Sequence, residues 1–383
     1  MFTEPARAMM TQTTTLAERL LRSPAVAALT SPHGVDRYLE LINPMWAATE
    51  VRARVVDVQR ENPDSGGAAV ATLTLQPTST WRGHRAGQYV QVGVELPGSA
   101  RRLTRCFSIS SAASAPGERF TLTIRAHDEG QVSKFLVHRA RPGQVLHLSQ
   151  AEGEFTLTES PATPTNRHLL FITGGSGITP AMSMVRTLLR DGYDGHVNRR
   201  VTFLHFARSA EDQIFAAELA GIDAGDNGVD VRLFHGDQLF SEQLLTRIVP
   251  DFREVDTWAC GPAGMVELVS AAYGVSPTDT SGSRLRVEFF KPPTVATGSA
   301  AGDLTFARSD ATAANTGASI LEQAEAAGLR PEFGCRMGIC FSCTARKTDG
   351  TVRNVLTGEE SSLPDEDIRI CVNAPVGSCT VDL

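Results

Sequence analysis

Four cysteines near the C-terminal end, Cys335, Cys340, Cys343 and Cys371, stand in the order Cys-x4-Cys-x2-Cys with a distant fourth. This is the ligand spacing of a plant-type [2Fe–2S] cluster, so the chain is expected to handle single electrons. The competing reading is a structural four-cysteine zinc site, but zinc ribbons usually present two tight Cys-x2-Cys pairs and only one occurs here. Disulfides are disfavoured. Residues 1–25 carry Arg7, Glu18, Arg19 and Arg22 without an uninterrupted apolar core, so no signal peptide is expected and a reducing cytoplasm is the expected compartment. Cys106, Cys260 and Cys379 fall outside the ligand spacing.

At 383 residues the chain is too long for one ordinary core. No apolar run is long enough to span a bilayer, and the formal net charge of −7 argues against nucleic acid as a partner. Residues 301–383 hold 12 acidic and 7 basic side chains, so much of the excess acid lies beside the cysteines. Glu359, Glu360, Asp365, Glu366 and Asp367 form the densest patch, which is either a surface that steers a basic acceptor or a solvated acidic loop.

The text of the chain changes character four times. Residues 1–47 form a prefix with helical patterns from Leu16 to Leu29, interrupted at Pro24, and from Val35 to Ile42. Residues 48–160 carry alternating β segments at 53–58, 69–75, 89–94 and 120–124, which suit a small antiparallel barrel. Residues 161–291 alternate strand and helix, beginning with a buried strand at 168–172, a helix at 181–190 and a strand at 201–206. That half predicts a doubly wound α/β nucleotide-binding domain. A Pro/Thr/Ser/Ala/Gly-rich linker follows at 292–302. Residues 303–383 form the cysteine module, with a helix expected at 319–327.

Thr173-Gly174-Gly175-Ser176-Gly177-Ile178-Thr179-Pro180 joins a buried strand to an apolar-periodic helix. Glycines there allow a pyrophosphate to approach, the helix N–H groups face its charge, and Pro180 suits a first helical turn. Gly174, Gly175, Gly177, Thr179 and Pro180 are therefore the nucleotide-binding candidates; a tight loop is the plainer reading. Arg208 follows the next strand, where an arginine pairs with a 2′-phosphate and an acid would bind the diol, so NADPH is expected with NADH as the alternative. Ala259-Cys260-Gly261-Pro262 ends a further predicted strand, at the sheet edge where such folds present ligands.

Arg105-Cys106-Phe107-Ser108, with Ala86-Gly87-Gln88-Tyr89 before it and Gly130-Gln131-Val132-Ser133 after it, completes a set that resembles the ferredoxin–NADP reductase superfamily. The resemblance covers about residues 50–383 and is closest to the subgroup that fuses a flavin barrel, a pyridine-nucleotide domain and a C-terminal [2Fe–2S] ferredoxin domain. It implies a multidomain architecture: an antiparallel β-barrel, an α/β doubly wound domain and an α+β β-grasp domain. It implies that Arg105 holds the flavin pyrophosphate, that Ser108 hydrogen-bonds near flavin N5, and that Gly130, Val132 and Ser133 receive the pyrophosphate of FAD rather than FMN. Phe107 replaces the usual tyrosine, keeping a ring for stacking without its hydroxyl. Cys260, Ser108 and Glu288 are implied to surround the hydride-transfer point, Gly261 and Pro262 to line the nicotinamide pocket, and Phe289 to cover the flavin face. Cys260 as a plain buried thiol stays open, and Cys106 and Cys379 read as small buried residues.

The implied activity is that of an NAD(P)H oxidoreductase in which FAD converts an electron pair into single electrons for the cluster and then for an external protein. Ser31 to Trp46 is similar to a prefix of bacterial reductases that serve membrane-bound acyl-CoA desaturases. That resemblance names a stearoyl-CoA Δ9-desaturase-type diiron enzyme as acceptor, with contact at the inner membrane face through the partner. A ring-hydroxylating, steroid or alkane oxygenase is the alternative acceptor. A zinc-bearing binding protein without turnover is the alternative of another class.

Overall fold

The structure is a computed structural model that describes residues 23–31, 33–61, 68–96, 102–127, 130–157, 167–191, 200–290, 301–336, 338 and 341–383. Cys340, residues 16–22 of the first helical pattern and the linker as far as residue 300 lie outside them.

The prefix holds α1 (Pro24–Thr30), whose N-cap hydroxyl Ser23 accepts from the Val26 N–H, and α2 (Val35–Ile42). One buried pair anchors it. The Asp36 carboxylate accepts from the backbone N–H groups of Ala48 (2.5 Å), Thr49 (3.0 Å) and Glu50 (3.1 Å). Arg52, fully buried, donates to the carbonyls of Pro44 (2.8 Å) and Asp36 (3.1 Å) and to the Glu50 carboxylate (3.2 Å). The prefix is therefore bonded to the first barrel strand through groups that cannot be left unpaired cheaply.

Strands β1 (Val51–Arg60), β2 (Val70–Pro77), β3 (Tyr89–Glu95), β4 (Arg102–Ser108), β5 (Phe120–Arg125) and β6 (Val145–Leu148) form an antiparallel sheet in the order β4-β3-β6-β1-β2-β5. An Ile109–Leu122 bridge joins its two ends, which makes it a barrel. β4 and β6 are strands that alternation alone did not reveal. The barrel core is apolar, with Val55, Leu73, Leu75, Val90, Val92 and Leu122 fully buried, and α3 (Gln131–Arg139) caps one end through Val132, Leu136 and Val137.

The second domain is a parallel sheet in the order β11-β10-β7-β8-β9, made of β7 (His168–Gly174), β8 (Arg200–Ala207), β9 (Val229–His235), β10 (Asp256–Gly261) and β11 (Leu285–Phe289). The helices α4 (Ile178–Arg190), α5 (Ala216–Asp223), α6 (Glu242–Ile248) and α7 (Ala263–Ala272) connect the strands. Because both faces are covered, β7 and β10 are buried almost continuously instead of at alternate positions, and β7 reads as an apolar run from Leu169 to Ile172. Helix α4 also bonds to the barrel: Ser183 Oγ donates to the Ser111 carbonyl (2.6 Å), and Thr187 Oγ1 accepts from the Ala113 N–H (2.9 Å).

The third domain pairs β12 (Asp303–Phe306), β13 (Ala311–Ala314), β14 (Thr344–Asn354), β15 (Glu360–Ser361), β16 (Glu366–Arg369) and β17 (Asn373–Val381) around α8 (Ile320–Ala326). β12 runs parallel to β17 and the other pairs are antiparallel, as in a β-grasp sheet. Gly302 already belongs to this domain, since its carbonyl accepts from the Asn315 N–H (2.9 Å). Four of the five residues of the acidic patch have basic neighbours: Glu360 pairs with Arg353, Glu366 with Lys347, and Asp365 and Asp367 with Arg346. The patch is thus largely self-neutralised.

Candidate functional site

The C-terminal edge of the parallel sheet brings the nucleotide candidates together because its loops are made of residues that let backbones touch. A Cβ on Gly177 would lie 2.3 Å from the Cys260 carbonyl oxygen and 2.7 Å from the Gly261 nitrogen. One on Gly174 would lie 2.9 Å from Pro262 Cδ, and one on Gly261 would lie 3.0 Å from the Gly174 nitrogen. The two turns therefore pack as one unit, and glycine is required for steric reasons. Gly175 has φ +53° and a Cβ there would meet only Arg125, at 3.6 Å, so this side of the turn is open to a ligand. Thr179 closes the turn by donating to the Ser176 carbonyl (3.0 Å), and Pro180 lies buried two residues after the helix start at Ile178.

Beside that unit, Cys260 on β10 and Glu288 on β11 are direct partners in the parallel register, as are Gly261 and Phe289. The Cys260 side chain is buried, and Glu288 Oε2 is buried without a hydrogen-bond partner among the described residues, although the residue as a whole keeps some exposure. Burial pushes the Glu288 carboxyl up to about 8. Burial and the neighbouring carboxyl raise the Cys260 thiol well above its usual range. At neutral pH the pair is therefore a protonated acid beside a protonated thiol.

From the barrel, Ser108 ends β4, buried, as the register partner of Tyr89 on β3. Tyr89 belongs to the Ala86–Tyr89 motif that carries the resemblance, but sequence reasoning gives it no role of its own. Burial raises its phenol above the usual range, and Cys106, Glu152, Cys335 and Glu288 add to the shift. Phe107 packs part-buried against the barrel core, and Cys106 is only part-buried, which departs from the small buried residue the sequence suggested. Cys379 is buried as expected.

At the start of α3, Gly130 is the N-cap, and Ser133 Oγ accepts from the His127 N–H (3.3 Å) and donates to the Gly130 carbonyl (3.4 Å). The Val132 side chain lies in the barrel core. Side chains here shape the loop, which leaves the helix N–H groups as the anion-facing donors. Arg105 donates Nη1 to the carbonyls of Thr104 and Phe333, both at 2.7 Å. Its guanidinium lies 3.7 Å from the centre of the Phe333 ring, in the cysteine loop. Arg208 lies apart from this centre: it follows β8, two strands from β10, is exposed, and pairs with Asp212 at 3.1 Å.

In the third domain Cys335, Cys343 and Cys371 are buried, with the sulfurs of Cys343 and Cys371 3.1 Å apart. The hydrogen bond with Cys371 holds the Cys343 thiol below its usual range. The loop around them turns through left-handed backbone at Arg336 (φ +59°), Gly338 (φ +76°) and Phe341 (φ +56°). Among the described residues no group of three ligand-type side chains is arranged to hold a metal ion by itself, Cys340 being outside them. The donor set fits a thiolate-held iron–sulfur cluster: soft cysteine sulfurs shielded from water, two of them already side by side.

Comparison with known proteins agrees with this division. Residues 56–157 match an oxidoreductase FAD-binding domain, residues 171–271 an oxidoreductase NAD-binding domain, and residues 305–376 a 2Fe-2S iron-sulfur cluster binding domain. An NADPH oxidoreductase of Mycobacterium tuberculosis is 38% identical over 363 residues, covering 93% of this chain and 90% of that one. A stachydrine N-demethylase reductase subunit of Rhizobium meliloti is 29% identical over 344 residues, covering 82% of this chain and 92% of that one. The fold is shared with phthalate dioxygenase reductase, at a TM-score of 0.54 and 20% identity over 87% of this chain and 97% of that one. With FAD-binding, NAD-binding and [2Fe–2S] domains in that order, the chain belongs to the ferredoxin–NADP reductase superfamily and is an NAD(P)H oxidoreductase of its three-domain, ferredoxin-fused type.

Proposed function

We propose that this chain draws electrons from NADPH and delivers them singly to a membrane-bound diiron acyl-CoA desaturase, with Cys335, Cys340, Cys343 and Cys371 holding the cluster. FAD, when bound, takes up an electron pair from the nicotinamide and releases electrons one at a time to the iron–sulfur centre. The chain's own residues supply position and proton control. The Gly174–Gly177 turn and the start of α3 offer backbone N–H groups to the two pyrophosphates. Glu288 keeps its proton beside Cys260 at neutral pH, so neither adds negative charge to the centre. The bond from Arg105 to the Phe333 carbonyl at 2.7 Å carries this reading, because it sets the barrel against the cysteine loop, and Ser183 ties the nucleotide domain to the same barrel through the Ser111 carbonyl.

The choice of acceptor rests on the prefix. Tyr38, Leu41, Ile42 and Trp46 are all exposed, and they lie in the segment whose sequence resembles the desaturase-linked reductases. A surface of that kind suits a partner embedded in lipid. The relatives described as reductase subunits of an N-demethylase and of a glycine betaine monooxygenase favour an oxygenase acceptor as the second reading. Membranes containing a candidate desaturase, supplied with NADPH and this chain, should form oleoyl product; absence of product with that desaturase, alongside turnover with an oxygenase, selects the second reading. Deleting the prefix is a poor probe, since it would strip Arg52 of its Pro44 and Asp36 partners. Serine at the exposed positions Leu41, Ile42 and Trp46 tests the surface and spares the anchor.

A further inference from the structure

Phe333 is two residues before Cys335 and packs against the core of the third domain, yet its ring is claimed from outside that domain. The Arg105 guanidinium, from barrel strand β4, lies 3.7 Å from the ring centre, and that of Arg336, from the cysteine loop, lies 3.8 Å from it. Two guanidinium groups at such heights cannot share one face without colliding, so the ring is sandwiched between them. Arg105 also donates to the Phe333 carbonyl at 2.7 Å, fixing backbone as well as side chain. Arg336 holds its left-handed position with an ion pair to Glu325 on α8, whose charge offsets the repulsion between the two cations. Each cation–ring contact is attractive, and more so as water is excluded.

From this geometry we infer that Phe333 is a positioning residue, an interdomain latch that holds the cysteine loop against the flavin side of the barrel through Arg105. The inference rests on the reading of the barrel and the cysteine loop as consecutive stations of one electron path. The latch fixes how close Cys335 stands to the Tyr89–Ser108 edge of the barrel. A loop released from it samples wider separations, and electron passage between the stations slows.

The test uses the full-length holoprotein with Phe333→Ala, Phe333→Leu and the ring-retaining Phe333→Tyr. Ferricyanide, small enough to take electrons at the flavin, reports the first station, and cytochrome c reports the path through the cluster. Phe333→Ala is expected to leave NADPH–ferricyanide turnover unchanged, to lower cytochrome c reduction about tenfold, and to speed backbone hydrogen exchange in residues 102–108 and 331–336. Phe333→Tyr should restore both readouts. Unchanged exchange in Phe333→Ala overturns the latch. So does equal cytochrome c reduction at full iron content. If Phe333→Ala loses iron, Phe333→Leu is read in its place, and iron loss in both overturns the proposal in favour of a role in retaining the cluster. A wild-type protein that reduces ferricyanide but not cytochrome c defeats the electron-path reading instead, while hydrogen exchange still reports the contact.

Discussion

Cys260 and Glu288 are register partners on adjacent parallel strands, both protonated at neutral pH, with Glu288 Oε2 left without a hydrogen-bond partner among the described residues. The pairing has a sign that can be measured. Because the folded carboxyl is raised from 4.5 to about 8, the folded state binds more protons than the unfolded chain between those values. Its contribution to stability is fully present below pH 4.5 and is lost as pH rises through about 8. Glu288→Gln, which cannot ionise, should melt close to wild type at pH 5 and several degrees higher at pH 9. Its NADPH-driven turnover should fall at least tenfold at pH 7 if the proton is used. Equal melting differences at both pH values would remove the buried-acid assignment.

Asp36 has the opposite sign. Burial alone would raise its carboxyl, but hydrogen bonds from Thr49, Ala48 and Glu50 outweigh it and hold the group below 3.8. The stability it provides is present above that value and is lost as pH falls through the folded pKa. Asp36→Ala should cost about 2–4 kcal/mol in denaturant unfolding, because three backbone N–H groups and a hydroxyl lose their acceptor. Flavin content of the folded fraction should be unchanged.

Gly177→Ala tests the joint between the two nucleotide turns. The added methyl meets backbone atoms of Cys260 and Gly261 at 2.3 and 2.7 Å, and backbone cannot step aside as a side-chain tip can. A loss of about 1–3 kcal/mol is expected by analogy with overpacked cores. NADPH KM should rise more than tenfold. A variant with normal KM would show that the turn tolerates separation.

Arg208 and Asp212 give a two-sided test of cofactor choice. Arg208 is exposed and its ion pair with the part-buried Asp212 is worth little to stability, so the arginine can be changed without unfolding the domain. If Arg208 reads the 2′-phosphate, Arg208→Ala should raise the NADPH KM about tenfold and leave NADH alone. Asp212→Asn, by releasing Arg208, should move preference further toward NADPH. Parallel changes for both cofactors in Arg208→Ala would assign the arginine to the surface.

Much of the fold was legible because local chemistry writes it plainly. The α2 helix, the strand at Phe120–Arg125 and the β7–turn–α4 unit follow from periodicity and glycine placement, and the order of domains from three motif clusters. β4 and β6 escaped notice because β4 carries Arg102, Arg105 and Ser108 for the site in place of clean alternation, and β6 is only 4 residues long. Cys260 and Glu288 could be named from sequence, but only the strand order makes them neighbours.

The sequence alone determined the chemistry: thiols at cluster spacing, a glycine turn between strand and helix, and the barrel arginine and serine, each set by local geometry that neighbouring residues enforce. Only the tertiary structure decided the relationships across domains: the Arg105–Phe333–Arg336 sandwich, the bonds from helix α4 to the barrel, and the Asp36–Arg52 anchor. Arg105 and Phe333 are separated by 228 positions, and contacts over such distances depend on how whole domains pack. No short-range pattern encodes them, because a cation needs only some ring, and a buried carboxylate only some set of N–H groups, brought within reach by the rest of the fold.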